Sequence, residues 1–384
     1  MLLKQIMTVI ITLSLVMISS CHPLGKEERK RTAEKADKKD KDIVIALVES
    51  SKETNTSLFK KGALLAIDEL NQKGGILVER KIIPLEYDDQ GDPDVGKKIA
   101  IKIAHNLDVI AVIGHRLSSV AIPVSITYEK EGIVFISIGS TTPMLTARKN
   151  QYIFRNIPND EDIGKALAEF AKRQGFKNIL VLFERGDYGR RLSEFFKEEA
   201  IKQGMTIFKT RSYFNKERDF RALIEGAQTI DAIFLAAFLP KAAEVIKQTR
   251  SMGIYAPFIS GDSLDNPGLW DNAEMDAIGT YVASVFDSES SKKGKAFVKR
   301  FQDKYKQPPD TKAAQGYDAV NLIAWAIENN RTTVPIEIAT ALRYMKEWEN
   351  VVGPYRFKPN GDITSRTIHI KVLSPSGEFK TIKY

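Results

Sequence analysis

From residue 42 onward, short apolar runs alternate with longer amphipathic stretches. The runs do not alternate apolar with polar residues, which is typical of strands buried on both faces of a parallel sheet. They lie at residues 43–48, 109–114, 133–138, 178–183, 231–237 and 257–260. The stretches between them, such as residues 57–73 and 161–174, have helical spacing and end at glycine. The pattern predicts βαβ units and an α/β fold.

Two successive series of these units predict two lobes with a cleft between them. Three further helices are predicted at residues 291–306, 311–329 and 335–345. The chain then closes with a hairpin around the Asn360-Gly361 turn and a strand at residues 367–373.

The first 20 residues predict a secretory signal peptide. The apolar stretch at residues 6–18 is too short for a permanent membrane span, which needs about 20 residues. Residues 18–21 read Ile-Ser-Ser-Cys and resemble the bacterial lipobox, so we predict lipidation of Cys21. This places the protein in the cell envelope, on the extracytoplasmic side of a membrane and in the periplasm if there are two membranes. Residues 21–42, nearly all charged beyond Gly25, predict a flexible tether.

The composition of the chain argues against several classes of function. The 384 residues carry 57 basic and 49 acidic groups, a net charge of +8 that is spread along the chain, so a nucleic-acid partner is not predicted. The single cysteine excludes an intrachain disulfide and a cysteine-based zinc site. The four histidines are far apart and there is no GxSxG motif. We therefore predict no enzyme activity, no metal and no cofactor.

Residues 91–98 match the glycine and lysine spacing of a phosphate-binding P-loop, but their chemistry opposes that function. Position 98 is lysine and offers no hydroxyl for Mg²⁺. Asp92 and Asp94 would repel phosphate, and Pro93 removes one of the amides that the loop needs. We predict instead that Asp92 caps a helix whose first residue is Pro93.

The loops that follow the predicted strands are the expected binding region, because ligands of open parallel sheets lie beyond the carboxyl ends of the strands. These loops are residues 49–55, 115–119, 139–142, 184–189, 238–240 and 261–263. The first three are rich in hydroxyls and glycine, which suits a carboxylate, whereas Asp262 suits an ammonium group. A free amino acid would satisfy both. The alternatives are that Ser118 and Ser119 only cap a helix and that Tyr188 is a plain exposed aromatic.

Five sequence blocks carry a family resemblance. They are YDDQGDP (87–93), VIGHRLSSVAIPVS (112–125), EGIVFISIGSTTPMLT (131–146), DYGRRL (187–192) and KERDFRALI (216–224). In order and spacing they resemble the leucine/isoleucine/valine-binding type of bacterial solute-binding protein that serves ABC importers, in a lipoprotein form. The resemblance extends from about residue 42 to the end.

The resemblance implies a type I periplasmic-binding-protein fold with two doubly wound parallel-sheet lobes. Lobe I would comprise residues 43–156 and 284–357, and lobe II residues 157–283 and 366–384. Three hinge strands, crossing near residues 156, 284 and 358–365, would join the lobes, and closure would trap the ligand.

The resemblance also implies roles for individual residues. Ser118 and Thr141, with the backbone at Gly139 and Ser140, would hold the carboxylate and ammonium of an amino acid. Tyr188 would close on the ligand from the second lobe.

Other positions depart from the family's pattern. Asp262 stands where the family often has a glutamate for the ammonium, and the aromatic contacts of the family fall at Asn55 and near Phe238 or Leu239. Gly91 and Leu117 replace the two cysteines of the family's disulfide. Because one aromatic contact of the family is lost, the sequence does not fix the identity of the ligand. A different amino acid, a carboxylate and an amide relative all remain open.

We therefore predict a monomeric, lipid-anchored solute-binding protein that delivers an amino-acid-like ligand to ABC permease and ATPase subunits. The alternative is a ligand-sensing or regulatory lipoprotein with the same fold, whose closed state is recognised by a partner other than a transporter.

Overall fold

The computed structural model describes residues 25–50, 58–364 and 367–383. The first lobe is built on a five-stranded sheet in the order β2-β1-β3-β4-β5, in which every neighbouring pair is parallel. Its strands are β1 (Ile43–Glu49), β2 (Ile82–Asp88), β3 (Val109–Gly114), β4 (Val134–Ser137) and β5 (Ile153–Arg155). Its helices are α1 (Lys26–Asp37), α2 (Phe59–Gln72), α3 (Pro93–His105) and α4 (Ser118–Glu131).

The second lobe contains a seven-stranded sheet in the order β14-β13-β10-β9-β8-β6-β7. Its parallel strands are β6 (Asn178–Glu184), β7 (Thr206–Tyr213), β8 (Ala232–Ala236), β9 (Phe258–Ser260) and β10 (Tyr281–Ser284). Its helices are α5 (Asp160–Arg173), α6 (Asp187–Lys202), α7 (Arg221–Ile224), α8 (Lys241–Ser251) and α9 (Gly268–Ala273).

The last part of the chain contributes to both lobes. Helices α10 (Lys292–Tyr305), α11 (Thr311–Asn330) and α12 (Pro335–Tyr344) are followed by the short pair β11 (Trp348–Glu349) and β12 (Pro354–Tyr355). These elements share their apolar core with the first sheet. Strands β13 (His369–Leu373) and β14 (Phe379–Thr381) then add to the second sheet in antiparallel orientation. The chain therefore passes between the lobes after β5, after β10 and between β12 and β13.

Helix α11 packs closely on α2 because both helices have glycine at the contact. A Cβ atom at Gly62 would lie 1.9 Å from the Ala313 carbonyl oxygen, and one at Gly316 would lie 2.5 Å from that of Phe59. Close packing here brings the first turn of α11 to the boundary between the lobes.

The predicted alternation of strands and helices is confirmed, and so is the cap of α3. The Asp92 carboxylate accepts hydrogen bonds from the amides of Asp94 and Val95, and Pro93 is the first helical residue. The prediction did not include β2 and β7 among the apolar runs. Both are edge strands with one partner each, so their sequences mix polar and apolar residues instead of forming a continuous apolar run.

The prediction of a flexible tether is wrong for residues 26–37, which form helix α1 docked on the first lobe. Arg29 is 1% exposed. Its guanidinium donates hydrogen bonds to the carbonyl oxygens of Ala104 (2.6 Å), Asn106 (2.9 Å), Val109 (2.6 Å) and Glu131 (3.0 Å). A segment with little apolar surface can thus be ordered by hydrogen bonds to carbonyls at the ends of α3 and α4 and at the start of β3.

The other end of α1 is held by an ion pair and hydroxyl groups. The Asp37 carboxylate pairs with Arg80 at 2.7 Å and accepts hydrogen bonds from Thr332 and Thr333. These bonds lower the pKa of Asp37 against the opposing effect of burial. Within the described ranges, no helix has the length and apolar character needed to cross a bilayer.

Candidate functional site

Six loops meet at the boundary between the lobes, each at the carboxyl end of a parallel strand. From the first lobe come the loops after β3, β4 and β5, and from the second lobe those after β6, β8 and β9. The side chains of interest are Ser118, Ser140, Thr141, Asp160, Tyr188, Phe238 and Asp262. All except Phe238 are buried.

The Ser118 hydroxyl does not cap helix α4. The helix begins after Leu117 without a side-chain cap, and the Ser140 hydroxyl donates to the Ser118 oxygen at 3.2 Å. The two hydroxyls therefore form a pair that joins the loops after β3 and β4. This geometry argues against the simple capping role that the sequence left open.

A buried hydrogen-bond network holds the loop that leads to Ser118. His115 contacts the Asp89 carboxylate through Nδ1 at 2.8 Å and the Tyr128 hydroxyl through Nε2 at 2.7 Å. All three side chains are buried, so the network sets the path of the chain between β3 and α4.

Arg155, at the end of β5, holds the loop after β4 in place. Its Nη1 donates to the Ser140 carbonyl oxygen at 3.0 Å, and its guanidinium forms an ion pair with Asp362 at 2.6 Å. The Ser140 amide donates to the Ser137 hydroxyl at 3.1 Å, so this amide is already used within the loop. At Gly139 a Cβ atom would lie 2.3 Å from the Arg116 side chain, and only glycine allows that approach.

Thr141 and Asp160 present buried polar atoms at the boundary between the lobes. The Thr141 carbonyl accepts a hydrogen bond from the Asp160 amide at 2.8 Å, which places the two side chains next to each other. Among the described residues, neither the Thr141 hydroxyl nor the two Asp160 carboxylate oxygens has a hydrogen bond of good geometry. Burial, with the nearby charge of Asp262, raises the pKa of Asp160 to about 7, against the opposing effects of Thr141 and two arginines.

Asp262 of the second lobe pairs with Lys312 at the first turn of α11. Its Oδ2 lies 3.0 Å from the lysine Nζ, and the two side chains are 7% and 5% exposed. The other carboxylate oxygen, Oδ1, is buried and has no hydrogen-bond partner in the part of the chain that the structure describes. One side of the carboxylate therefore joins the lobes, and the other is left for a further donor.

Tyr188 and Phe238 form the aromatic part of the site. Their rings lie 4.8 Å apart, and the Tyr188 hydroxyl donates to the Ser263 hydroxyl at 2.9 Å. Burial raises the pKa of Tyr188 well above its ordinary value, so the phenol keeps its proton. The Arg116 guanidinium of the first lobe lies 5.7 Å from the Phe238 ring centroid and links the two lobes.

A cavity of about 210 Å³ opens beside these residues. Gly91, Leu117, Ser118 and Ser119 line it from the first lobe, and residues 184–189 with Phe238 line it from the second. In the part of the chain that the structure describes, no cluster of three His, Cys, Asp or Glu side chains is suited to hold a metal ion.

The structure brings together Ser118, Gly139, Ser140, Thr141, Tyr188, Phe238 and Asp262. Asn55 and Cys21 lie outside the described residues. Sequence reasoning missed Asp160, Arg155 and Lys312. Asp160 follows β5, a strand of three residues that is too short to stand out as an apolar run. For Lys312 no local signal exists, since its partner is 50 residues away.

Comparison with known proteins identifies relatives along most of the chain. The periplasmic binding protein family matches residues 47–372. The leucine-specific-binding protein of Salmonella typhimurium is 31% identical over 308 residues, which are 79% of this chain and 82% of that protein. Among solved structures, an ABC transporter substrate-binding protein from Desulfitobacterium hafniense in complex with Leu is 33% identical. It has a TM-score of 0.79 and covers 89% of this chain and 100% of its own.

A more distant structure supports the fold alone. It is the branched-chain amino acid transporter substrate-binding protein of Streptococcus pneumoniae in complex with isoleucine, at 24% identity and a TM-score of 0.82, with 89% and 100% of the two chains covered. The predicted type I periplasmic-binding-protein fold and the predicted family are both confirmed. The chain therefore belongs to the periplasmic binding protein family, in its leucine/isoleucine/valine-binding branch, which consists of solute-binding proteins and not enzymes.

Proposed function

We propose that this protein captures a small amino acid or a related carboxylate between its lobes and delivers it to an ABC importer. The observation that carries this proposal is a set of buried polar atoms that have no hydrogen bond of good geometry among the described residues: the Thr141 hydroxyl, both Asp160 oxygens and Asp262 Oδ1. Leaving such groups unpaired costs about 1–3 kcal/mol each. A ligand ammonium between the two carboxylates would supply the missing donors.

The ligand carboxylate would lie on the side of the first-lobe hydroxyls. The Ser118 hydroxyl and the Thr141 hydroxyl can donate to it, together with backbone amides near Gly139. The Ser140 amide is excluded from this role in the observed geometry because it already donates to Ser137. Tyr188 and Phe238 would then cover the ligand from the second lobe.

Closure would trap the ligand because its partners come from both lobes. Ser118 and Thr141 follow strands of the first sheet. Asp160 begins helix α5 of the second lobe, and Tyr188 and Asp262 follow strands of the second sheet. The three passages between the lobes, near residues 156, 284 and 358–365, would serve as the hinge. A ligand that contacts both lobes only in the closed state shifts the population toward that state.

The relatives support an amino acid as the ligand. The D. hafniense protein was solved with Leu and the S. typhimurium protein is named leucine-specific. In this chain Lys312 adds a positive charge beside Asp262, so selectivity need not follow those proteins. We expect isothermal calorimetry to detect binding of at least one free amino acid and much weaker binding of its deaminated relative. Binding of neither amino acids nor small carboxylates would refute the proposal.

We further propose that acyl chains on Cys21 hold a monomeric protein on the extracytoplasmic face of a membrane. The support is the lipobox-like sequence at residues 18–21. Replacement of Cys21 by alanine should move the protein from the membrane fraction to the soluble fraction. Retention of the Cys21→Ala variant in the membrane would show that something other than the acyl chains holds it.

A further inference from the structure

The surface formed by α3 and α4 combines exposed apolar and basic side chains. Ile101 and Ile126 are 50% and 48% exposed and line a groove of about 240 Å³ between the two helices. Lys98, Lys102 and Lys130 are exposed on the same helices. We refer to these five residues as the basic–apolar face.

The basic charge of this face is not neutralised by its own helices. Helices α3 and α4 contain three acidic residues. Asp94 pairs with Lys97, Glu129 pairs with Lys26, and Glu131 is buried. Exposed lysines beside exposed isoleucines combine positive charge with apolar surface, the two features by which proteins bind anionic lipid headgroups.

The docking of α1 places the N-terminal segment beside this face. A Cβ atom at Gly132, which directly follows α4, would lie 3.2 Å from the Lys26 Cα. Arg29 bonds to Ala104 and Glu131, both of which line the groove. Five residue steps separate Cys21 from Lys26, so these Cα atoms lie at most about 18 Å apart.

We propose that the basic–apolar face lies against an anionic bilayer surface, which orients the first lobe on the membrane. The proposal rests on the proposed lipid anchor at Cys21. Because α1 is bound to the lobe along its length, only a short stretch of chain would separate the lipid anchor from the folded lobe. The lysines would face phosphate headgroups within the electrostatic reach of about 8 Å that physiological salt allows. The second lobe would remain free to open and close.

The test uses the full-length lipidated protein in vesicles of phosphatidylcholine, with and without phosphatidylglycerol. Cys21 is the only native cysteine, so a single introduced cysteine can be labelled with a fluorophore. The probe site is Ile126→Cys, and the control is Tyr255→Cys, 77% exposed on the second lobe. Nitroxide-labelled headgroups should quench the fluorophore at position 126 at least about threefold more than at position 255, and more strongly with phosphatidylglycerol.

Charge reversal provides the matched comparison. The triple variant Lys98→Glu, Lys102→Glu, Lys130→Glu should lose the excess quenching at position 126. The same change at Lys165, Lys172 and Lys177, which are exposed on the second lobe, should leave it intact. Unchanged ligand binding in both triple variants shows that they are folded.

Three outcomes would overturn the proposal. The first is equal quenching at the two sites in protein whose mass shows an acylated Cys21. The second is a fluorophore at position 126 that is as protected from solvent in detergent without vesicles as it is in vesicles. This would mean that residues 22–24 or a second copy of the protein cover the groove. The third is an unacylated Cys21, which refutes the anchor itself. Calorimetric binding of an amino acid is independent of all three and continues to test the proposed ligand.

Discussion

Burial of the Asp160 carboxylate at the site favours the binding of a ligand ammonium group. Its side chain is enclosed at the boundary between the lobes, its oxygens have no hydrogen bond of good geometry within the described part of the chain, and burial raises its pKa to about 7. A carboxylate in this state is partly protonated near neutral pH. An approaching ammonium group favours the ionised form and must therefore displace the proton.

We expect ligand affinity to depend on pH through Asp160. The ligand-free site holds a proton below pH 7, so an amino acid should bind more weakly at about pH 6 than at about pH 8. Calorimetry at the two pH values measures the difference. In Asp160→Asn the affinity should be lower and nearly constant with pH. A pH dependence that persists in Asp160→Asn would assign the titration to another group.

The same residue makes the ligand-free protein less stable as pH rises. Because the pKa is raised on folding, the folded state holds a proton that the unfolded state has released between about pH 4 and about pH 7. The contribution of Asp160 to the free energy of unfolding therefore falls across this range. Denaturant unfolding of the wild type and Asp160→Asn isolates it, since the variant should lose that part of the decline.

Three other side chains test the position of the site. The variants Ser118→Ala, Thr141→Ala and Asp262→Ala should each weaken ligand binding by at least about 1 kcal/mol, the size of a lost hydrogen bond to a charged group. Ser251→Ala is the matched control, because Ser251 is exposed at the end of α8 and does not line the cavity. Wild-type affinity in all three variants would show that the ligand binds elsewhere.

At the scale of elements, helix α1 shows that a highly charged segment can be part of a folded lobe. Arg29 is stabilised by hydrogen bonds to four carbonyl oxygens, and three of these bonds are buried. Its burial lowers its pKa to about 10, against the opposing charges of Glu131 and Asp108, so the guanidinium stays charged at neutral pH. The helix is thus attached by a charged group and not by an apolar face.

Replacement of Arg29 by methionine should destabilise the first lobe by about 3 kcal/mol, because several buried carbonyls lose their donor at once. The comparison is Arg31→Met, since Arg31 is exposed on the same helix and its replacement should change stability by at most about 0.5 kcal/mol. Denaturant unfolding followed by circular dichroism measures both. Equal stability of the two variants would mean that α1 contributes little to the lobe.

At the scale of the whole molecule, the first turn of α11 forms polar contacts with the second lobe. Lys312 pairs with Asp262, and the Thr311 hydroxyl donates to the Asp265 carboxylate at 2.5 Å. Both donors lie in the first turn of α11, which packs with the first lobe, whereas both acceptors follow β9 in the second. We expect these bonds to form only when the lobes are close together.

Loss of the Lys312 charge should shift the ligand-free protein toward an open arrangement. In Lys312→Met, Asp262 loses its partner and the closed state loses a contact that the open state never had. Small-angle X-ray scattering should show a larger radius of gyration than for the wild type. Lys299→Met, at an exposed position of α10, should leave the radius unchanged. A wild-type radius in Lys312→Met would exclude the ion pair as a determinant of closure.

The sequence by itself determined the order of central strands and helices, the two-lobe architecture, the family and most of the loops that form the site. Each of these follows from local patterns. A strand buried on both faces is apolar throughout, and a loop after such a strand lies at the carboxyl edge of the sheet wherever the sheet is placed.

Only the tertiary structure decided how the charged groups are used. The Asp262 carboxylate, which we expected to be free for an ammonium group, forms an ion pair with Lys312. Asp160 lies at the site because it follows β5, a strand too short to be recognised as an apolar run. Arg29 orders a segment that composition alone describes as a tether, through carbonyls 75 to 102 residues away. Partners so distant in sequence leave no periodic signal, because a charge is stabilised by whichever groups the fold brings within hydrogen-bonding distance.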